Sequence, residues 1–235
     1  MVLLPLYDVD PLEGKTTPFV TYGLIAINVI VGIAVFSLPA DTYKTLLNVI
    51  GLVPAIETRE LPRLGLFPRD LALFSAMFLH VSWLHLVSNM WFLWIFGDNI
   101  EDALGHLRFL VFYILCGLSA SAVFVLSAPH LTTPMVGASG AIAGVMAAYL
   151  MIRPCAKIEV LAAVWPVAVR AYWVIGIWIA LQVLNVGSYA DDGIAYWAHI
   201  GGAIAGALLI IVMRPPNVEL FECMSPPDVS ENTLS

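Results

Sequence analysis

Five stretches of this chain carry no charged residue: 16–40, 71–97, 109–152, 171–190 and 193–213. A helix needs about 20 apolar residues to cross the hydrocarbon of a bilayer, and lipid offers an unpaired backbone amide no partner, so such stretches predict membrane-spanning helices. The longest must hold two spans. Its break lies at Ser127-Ala128-Pro129-His130 through Thr132-Thr133-Pro134, where two prolines and a polar cluster stop one helix before Gly137 opens the next. The expected fold is therefore an all-α membrane protein, a bundle of six transmembrane helices. Composition agrees, with 60% hydrophobic and 11% charged residues against the roughly one-quarter charged content of a soluble domain.

Lys and Arg set the expected orientation. With the N-terminus inside, cytoplasmic segments hold Lys15, Arg108, Arg153, Lys157, Arg170 and Arg214, whereas the outer side holds Lys44, Arg59, Arg63 and Arg69, all in one long first loop. Both termini are thus expected in the cytoplasm, and a cell membrane is the expected location. Residues 1–15 are acidic and lack the basic-then-apolar pattern of a cleavable signal, so none is expected. The organisation reads as a cytoplasmic segment 1–17, a membrane domain 18–213 with a first loop at about 39–79, and a flexible cytoplasmic tail 214–235. That loop mixes apolar residues with charges and prolines, which suits a segment lying in the interface or against the bundle. Ser82 is a plausible N-cap for the second span. The net charge of −7 excludes nucleic acid as a partner. Cys116, Cys155 and Cys223 make no disulfide framework.

Against this background a few polar residues stand out: His85 and Asn89 in the second span, Ser139 at the start of the fourth, and His199 in the sixth. These three spans run in the same direction, so His85, Ser139 and His199, all in the first turns, share a similar depth below the outer surface. His85 and Asn89 are four apart and share a helix face. Small residues continue from the other two, through Gly140, Ala143, Gly144 and Ala147 after Ser139 and through Gly202 and Gly206 after His199. Such stripes let helix backbones approach closely in lipid. Ser139 and His199 can thereby come within hydrogen-bond reach.

The chemistry that needs these groups is acyl transfer. A serine hydroxyl is a weak nucleophile until a neutral imidazole takes its proton, and the same imidazole can return that proton to a leaving amine. The tetrahedral intermediate then needs donors aimed at its oxygen. Backbone N–H groups at the helix start around Ser139, with His85 and Asn89, would supply them.

The chain resembles the rhomboid family of intramembrane serine proteases. The likeness rests on His80-x4-His85-x3-Asn89 in the second span, Gly137-Ala138-Ser139-Gly140 opening the fourth, and Ala198-His199-x2-Gly202-x3-Gly206 in the sixth, in that order. It implies a Ser139–His199 dyad and an oxyanion hole made by the Ser139 backbone N–H, His85 and Asn89. It also implies cleavage of single-pass membrane proteins near the outer face of the lipid, with no metal or cofactor. His80, Gly137, Gly140, Gly202 and Gly206 are structural in that picture. The sequence departs from some members in two places: Ala143 stands where an aromatic would stack on the histidine, and Leu71-Ala72 where a Trp-Arg pair would begin the segment before the second span.

Taken singly, these residues have plainer roles. A serine or asparagine in a span usually binds backbone or a neighbouring helix, and a buried histidine can relay protons. Trp83, Trp91, Trp94, Trp173 and Trp178 read as lipid-facing or interfacial anchors. A polar loop bounded by Gly187 and Gly193 is expected to cap the site, or to be a passive connector. A transporter would show repeats or broken helices, of which the sequence has no sign. A client-binding scaffold of the same fold would have no need of both Ser139 and His199.

Overall fold

The computed structural model describes residues 4–9, 16–62, 65, 67–162, 165–186 and 193–223. In chain order the elements are β1 (Leu4–Asp8), α1 (Phe19–Phe36), α2 (Ala40–Ile50), α3 (Pro54–Glu57), α4 (Ala72–Ser75), α5 (Trp83–Leu104), α6 (His106–Ser127), α7 (Ser139–Ile152), β2 (Lys157–Ala162), β3 (Trp165–Arg170), α8 (Ala171–Asn185) and α9 (Tyr196–Met213), with 3-10 turns at Arg69–Leu71 and Ala76–Phe78. The molecule is thus mostly helical. Helices α1, α6 and α9 are long and apolar enough to cross a membrane, and α5 joins them when counted with the segment 69–78, bent 81° from it. Helices α7 and α8 are apolar but shorter, at 14 and 15 residues.

Helix α7 lies at the centre. Nearly every residue from Gly140 to Tyr149 is buried, and α5, α6 and α9 surround it. Its residues are small where the neighbours come close. A Cβ on Gly202 of α9 would overlap the carbonyl oxygen of Gly140, and one on Gly206 that of Gly144. Close backbone contact of this kind replaces the hydrophobic drive that lipid does not supply. Gly201 faces elsewhere, against the Val123 side chain of α6.

Charge is satisfied at one end of the bundle. Glu101, fully buried near the end of α5, accepts from Val20 N at 2.9 Å, Thr21 N at 2.7 Å and Thr21 Oγ1 at 2.7 Å. The first N–H groups of a helix have no intrahelical partner, and a carboxylate there also meets the positive end of the dipole. Helix α1 starts at Phe19 with no cap from Pro18, so α5 provides one. His106 Nδ1 lies 2.5 Å from Glu101 Oε1, the oxygen that also accepts from Val20 N, while both Thr21 donors go to Oε2.

Three expectations are corrected. The fold is not all-α: β1, β2 and β3 form an antiparallel sheet in that order, with Lys157 opposite Arg170 and Leu4 opposite Leu161. Ile158 and Val160 bury their side chains against the bundle, which rewards the alternation of Lys157-Ile158-Glu159-Val160. Trp91 Nε1 donates to Pro5 O at 2.7 Å and Tyr149 Oη to Asp8 Oδ2 at 2.6 Å, tying β1 to α5 and α7. Two of the cysteines do pair: a disulfide joins Cys155 to Cys223, while Cys116 is a free, buried thiol. The tail is accordingly held through residue 223, with Phe221 N donating to Met151 O at 2.7 Å and Glu222 N to Ile152 O at 3.0 Å. The rest of the tail, 224–235, and the polar loop 187–192 lie outside the described residues.

The first loop packs against the bundle. Helix α2 turns Leu47 toward Val35, Leu79 and Val136, and the segment 72–78 lies along α6. Ser82 caps α5 as expected, its Oγ accepting from His85 N at 3.1 Å.

Candidate active site

Ser139 is the first residue of α7, and the chain before it is pinned by the first loop. Leu52 and Met135 exchange backbone hydrogen bonds of 3.1 and 2.8 Å, Ala55 N donates to Leu131 O at 3.0 Å, and Gly137 N donates to Ala76 O at 2.8 Å. Gly137 has φ +129°, a conformation that side chains with a Cβ rarely adopt. Space forbids a side chain there as well, since a Cβ would come within 2.8 Å of His85 Cε1 and 3.0 Å of its Nε2. The glycine lets the chain pass beside His85 and then turn into α7 at Ser139.

The contact of α9 with α7 delivers the histidine. With Gly202 against Gly140, one turn further along, His199 Nε2 lies 2.8 Å from Ser139 Oγ. The imidazole is buried, at 9% exposure, while Ser139 is half-buried. His199 Nδ1 lies 2.8 Å from Gln182 Oε1 on α8, and the ring packs 5.5 Å, centroid to centroid, from Trp178 on the same helix. Trp178 also packs on the cluster of Ala143, Ala147 and Ala203. The small Ala143 therefore leaves room for an aromatic that arrives from α8. Trp178 is not simply a lipid anchor, which corrects the reading from sequence, whereas Trp83 and Trp173 are indeed largely exposed.

His85 and Asn89 lie on the other side of Gly137. A Cβ on Gly137 would be 3.7 Å from Asn89 Nδ2, so both side chains face the turn that leads to Ser139. Asn89 is buried at 6% exposure, and neither its Nδ2 nor His85 Nδ1 has a hydrogen-bond partner among the described residues. Buried polar atoms without partners are uncommon, and a bound ligand is one thing that can complete them. His80 stacks edge-on against His85, with ring centroids 5.1 Å apart, and its carbonyl accepts from Tyr43 Oη of α2 at 3.2 Å.

The arrangement brings together a hydroxyl, an imidazole within its reach, and donors beside both. Sequence reasoning named Ser139, His199, His85, Asn89 and His80, and the fold gathers them on α5, α7, α9 and the turn before α5. It missed Gln182 and Trp178. Both belong to the face of α8 formed by Ala171, Val174, Ile175 and Gln182, and a polar residue on that buried stripe was the available signal.

A family model described as Rhomboid domain matches residues 69–216. Among curated proteins, the chain is 30% identical over 148 residues to Rhomboid-like protein 11, chloroplastic, of Arabidopsis thaliana, covering 61% of this chain and 52% of that protein. It is 31% identical over 203 residues to Presenilin-associated rhomboid-like protein A, mitochondrial, of Danio rerio, covering 84% and 48%. With Rhomboid protease GluP of Bacillus subtilis it shares 28% over 150 residues, covering 63% and 27%. The chain spans about half the length of the first two and less of the third. The matched segment runs from the first loop to the end of α9 and contains every residue gathered around Ser139, and the chain belongs to the rhomboid family of membrane proteins.

Proposed function

We propose that this chain is an intramembrane serine endopeptidase that cleaves transmembrane segments of single-pass membrane proteins. The observation that carries the reading is the 2.8 Å approach of His199 Nε2 to Ser139 Oγ across two helices, near the buried Asn89 amide donor, which has no partner among the described residues. Ser139 Oγ attacks the scissile carbonyl carbon while His199 takes its proton. The carbonyl oxygen becomes an oxyanion and receives hydrogen bonds from His85, Asn89 and the Ser139 backbone N–H. His199 then protonates the leaving amine, and a water activated by the same imidazole hydrolyses the acyl-enzyme. No metal or cofactor enters this scheme.

Six spans and cytoplasmic termini complete the proposal. Helix α7 is about 21 Å long at ~1.5 Å per residue, short of the ~30 Å hydrocarbon. Lys157 and Arg170, exposed beyond its end, favour the aqueous interface, so the shortfall falls at the Ser139 end and sets the nucleophile below the outer surface. Substrate reaches it from lipid, and water from outside. Relatives carry mitochondrial and chloroplastic names, so an organelle membrane is as compatible with this site as a cell membrane.

A fluorophosphonate probe tests the nucleophile directly. The protein in detergent is expected to be labelled on the peptide containing Ser139, and labelling is expected to vanish in Ser139→Ala and His199→Ala variants that keep the wild-type thermal midpoint. A folded wild-type protein that resists the probe would point instead to a scaffold that binds membrane clients.

A further inference from the structure

The Nδ1 side of His199 faces the amide of Gln182, and the hydrogen bonds of that amide determine which way round it lies. Gln182 Nε2 is 3.2 Å from Trp178 O, a carbonyl that can only accept, so the nitrogen end of the amide is the end turned toward its own helix. The oxygen end is then the one 2.8 Å from His199 Nδ1. A carbonyl oxygen cannot donate, so the proton between them belongs to the imidazole. His199 is thereby held with its hydrogen on Nδ1 and a lone pair on Nε2. Nε2 is the atom that faces Ser139 Oγ at 2.8 Å, and in this tautomer the Ser139 hydroxyl donates to it. The relay from Trp178 O to Ser139 Oγ is complete, and every donor in it has an acceptor.

Position supports the chemistry. Gln182 is 8% exposed on the bundle face of α8, while Leu181, Val183 and Leu184 around it are exposed. Trp178, one turn earlier, packs on the imidazole ring. One helix turn therefore supplies both a ring contact and an acceptor, with no carboxylate in contact with His199 among the described residues.

We propose that Gln182 is the positioning residue of the base: it fixes the tautomer and ring orientation of His199 so that Nε2 can take the Ser139 proton. This rests on the protease reading above. The competing role is helix glue, since amides commonly bond between helices in lipid without any part in catalysis. The two differ in what a substitute must retain. Loss of a positioning acceptor at Oε1 lowers the rate of the folded protein, whereas loss of glue lowers the thermal midpoint and leaves the rate of the folded protein unchanged.

The experiment compares wild type, Gln182→Leu, Gln182→Met and Gln182→Glu in one detergent. It reads the fluorophosphonate labelling rate at Ser139, kcat and KM on a transmembrane substrate, and the thermal midpoint. Leu and Met are expected to lower kcat and the labelling rate together by about 10- to 100-fold, with KM within about twofold, because the base is misplaced and substrate binding is untouched. Glu keeps an acceptor, as the orienting carboxylate of other serine proteases does, and is expected to stay within about threefold of wild type. Met keeps the test open if Leu fails to fold. Wild-type labelling rates in a folded Leu or Met variant would overturn the positioning role and leave Ser139 as nucleophile. Equal losses in Leu, Met and Glu with midpoints preserved would overturn it as well, in favour of packing. Absence of Ser139 labelling in the wild type would remove the protease reading, and this proposal with it.

Discussion

Asn89 has a buried amide donor with no partner among the described residues, and it faces the turn before Ser139. If that donor is kept for an oxyanion, its value appears only as charge develops. Asn89→Ala is expected to lower kcat by about 100- to 1,000-fold with little change in KM, measured on a transmembrane substrate. An unchanged kcat would make Asn89 a packing residue. Ser139, His199, His85, Asn89 and His80 were legible in the sequence because polar groups are conspicuous in charge-free stretches. Gln182 was not. A glutamine in a span has an ordinary role between helices, and only the distance to His199 across 17 residues of chain separates the two meanings. Ala143 was read correctly as small, but its consequence was invisible, since the aromatic that replaces the missing ring comes from α8.

Among the elements, the α7–α9 contact positions the chemistry. Gly202 meets the Gly140 carbonyl, which is backbone and cannot turn aside, whereas Gly201 meets the Val123 side chain, which can shift with α6. Gly202→Val is therefore expected to abolish cleavage, since a displacement of about 1 Å between nucleophile and base can cost on the order of a hundred-fold. Gly201→Val is expected to lose less. Cleavage assays on both variants at matched folding check the order, and the reverse order would mean that a different face of α9 meets Ser139. Glu101 has a purely structural part. Glu101→Ala leaves the buried Thr21 N–H and the partly buried Val20 N–H without their acceptor, at a cost of about 1–3 kcal/mol for the buried one. A thermal midpoint several degrees lower, with undiminished fluorophosphonate labelling below it, is the expected result. The helices were legible because their apolar length exceeds anything a soluble loop carries. The sheet was not, although Lys157-Ile158-Glu159-Val160 alternates as a half-buried strand does. Five to six residues per strand are too few to compete with the flanking spans, and β1 pairs with β2 from more than 140 residues away.

At the scale of the whole molecule, one end of the bundle is a closed structure of sheet, buried carboxylate and disulfide, and the other holds the serine. Cys155 and Cys223 are 68 residues apart, and their pairing depends on the tail folding back along the end of α7, which no local pattern announces. The asymmetry suits the proposed protease, which would admit a transmembrane segment from lipid at one depth and stay fixed at the other. On the proposed reading, Ser139 cleaves peptide bonds in membrane-embedded substrates. The most direct measurement reconstitutes the protein in liposomes with a single-pass substrate and identifies the fragments by mass spectrometry. Cleavage within or at the edge of the transmembrane segment by the wild type, and none by Ser139→Ala, is the expected result. The same fragments from Ser139→Ala at the wild-type rate, or an intact substrate with a folded wild-type protein across a panel of single-pass substrates, would contradict it.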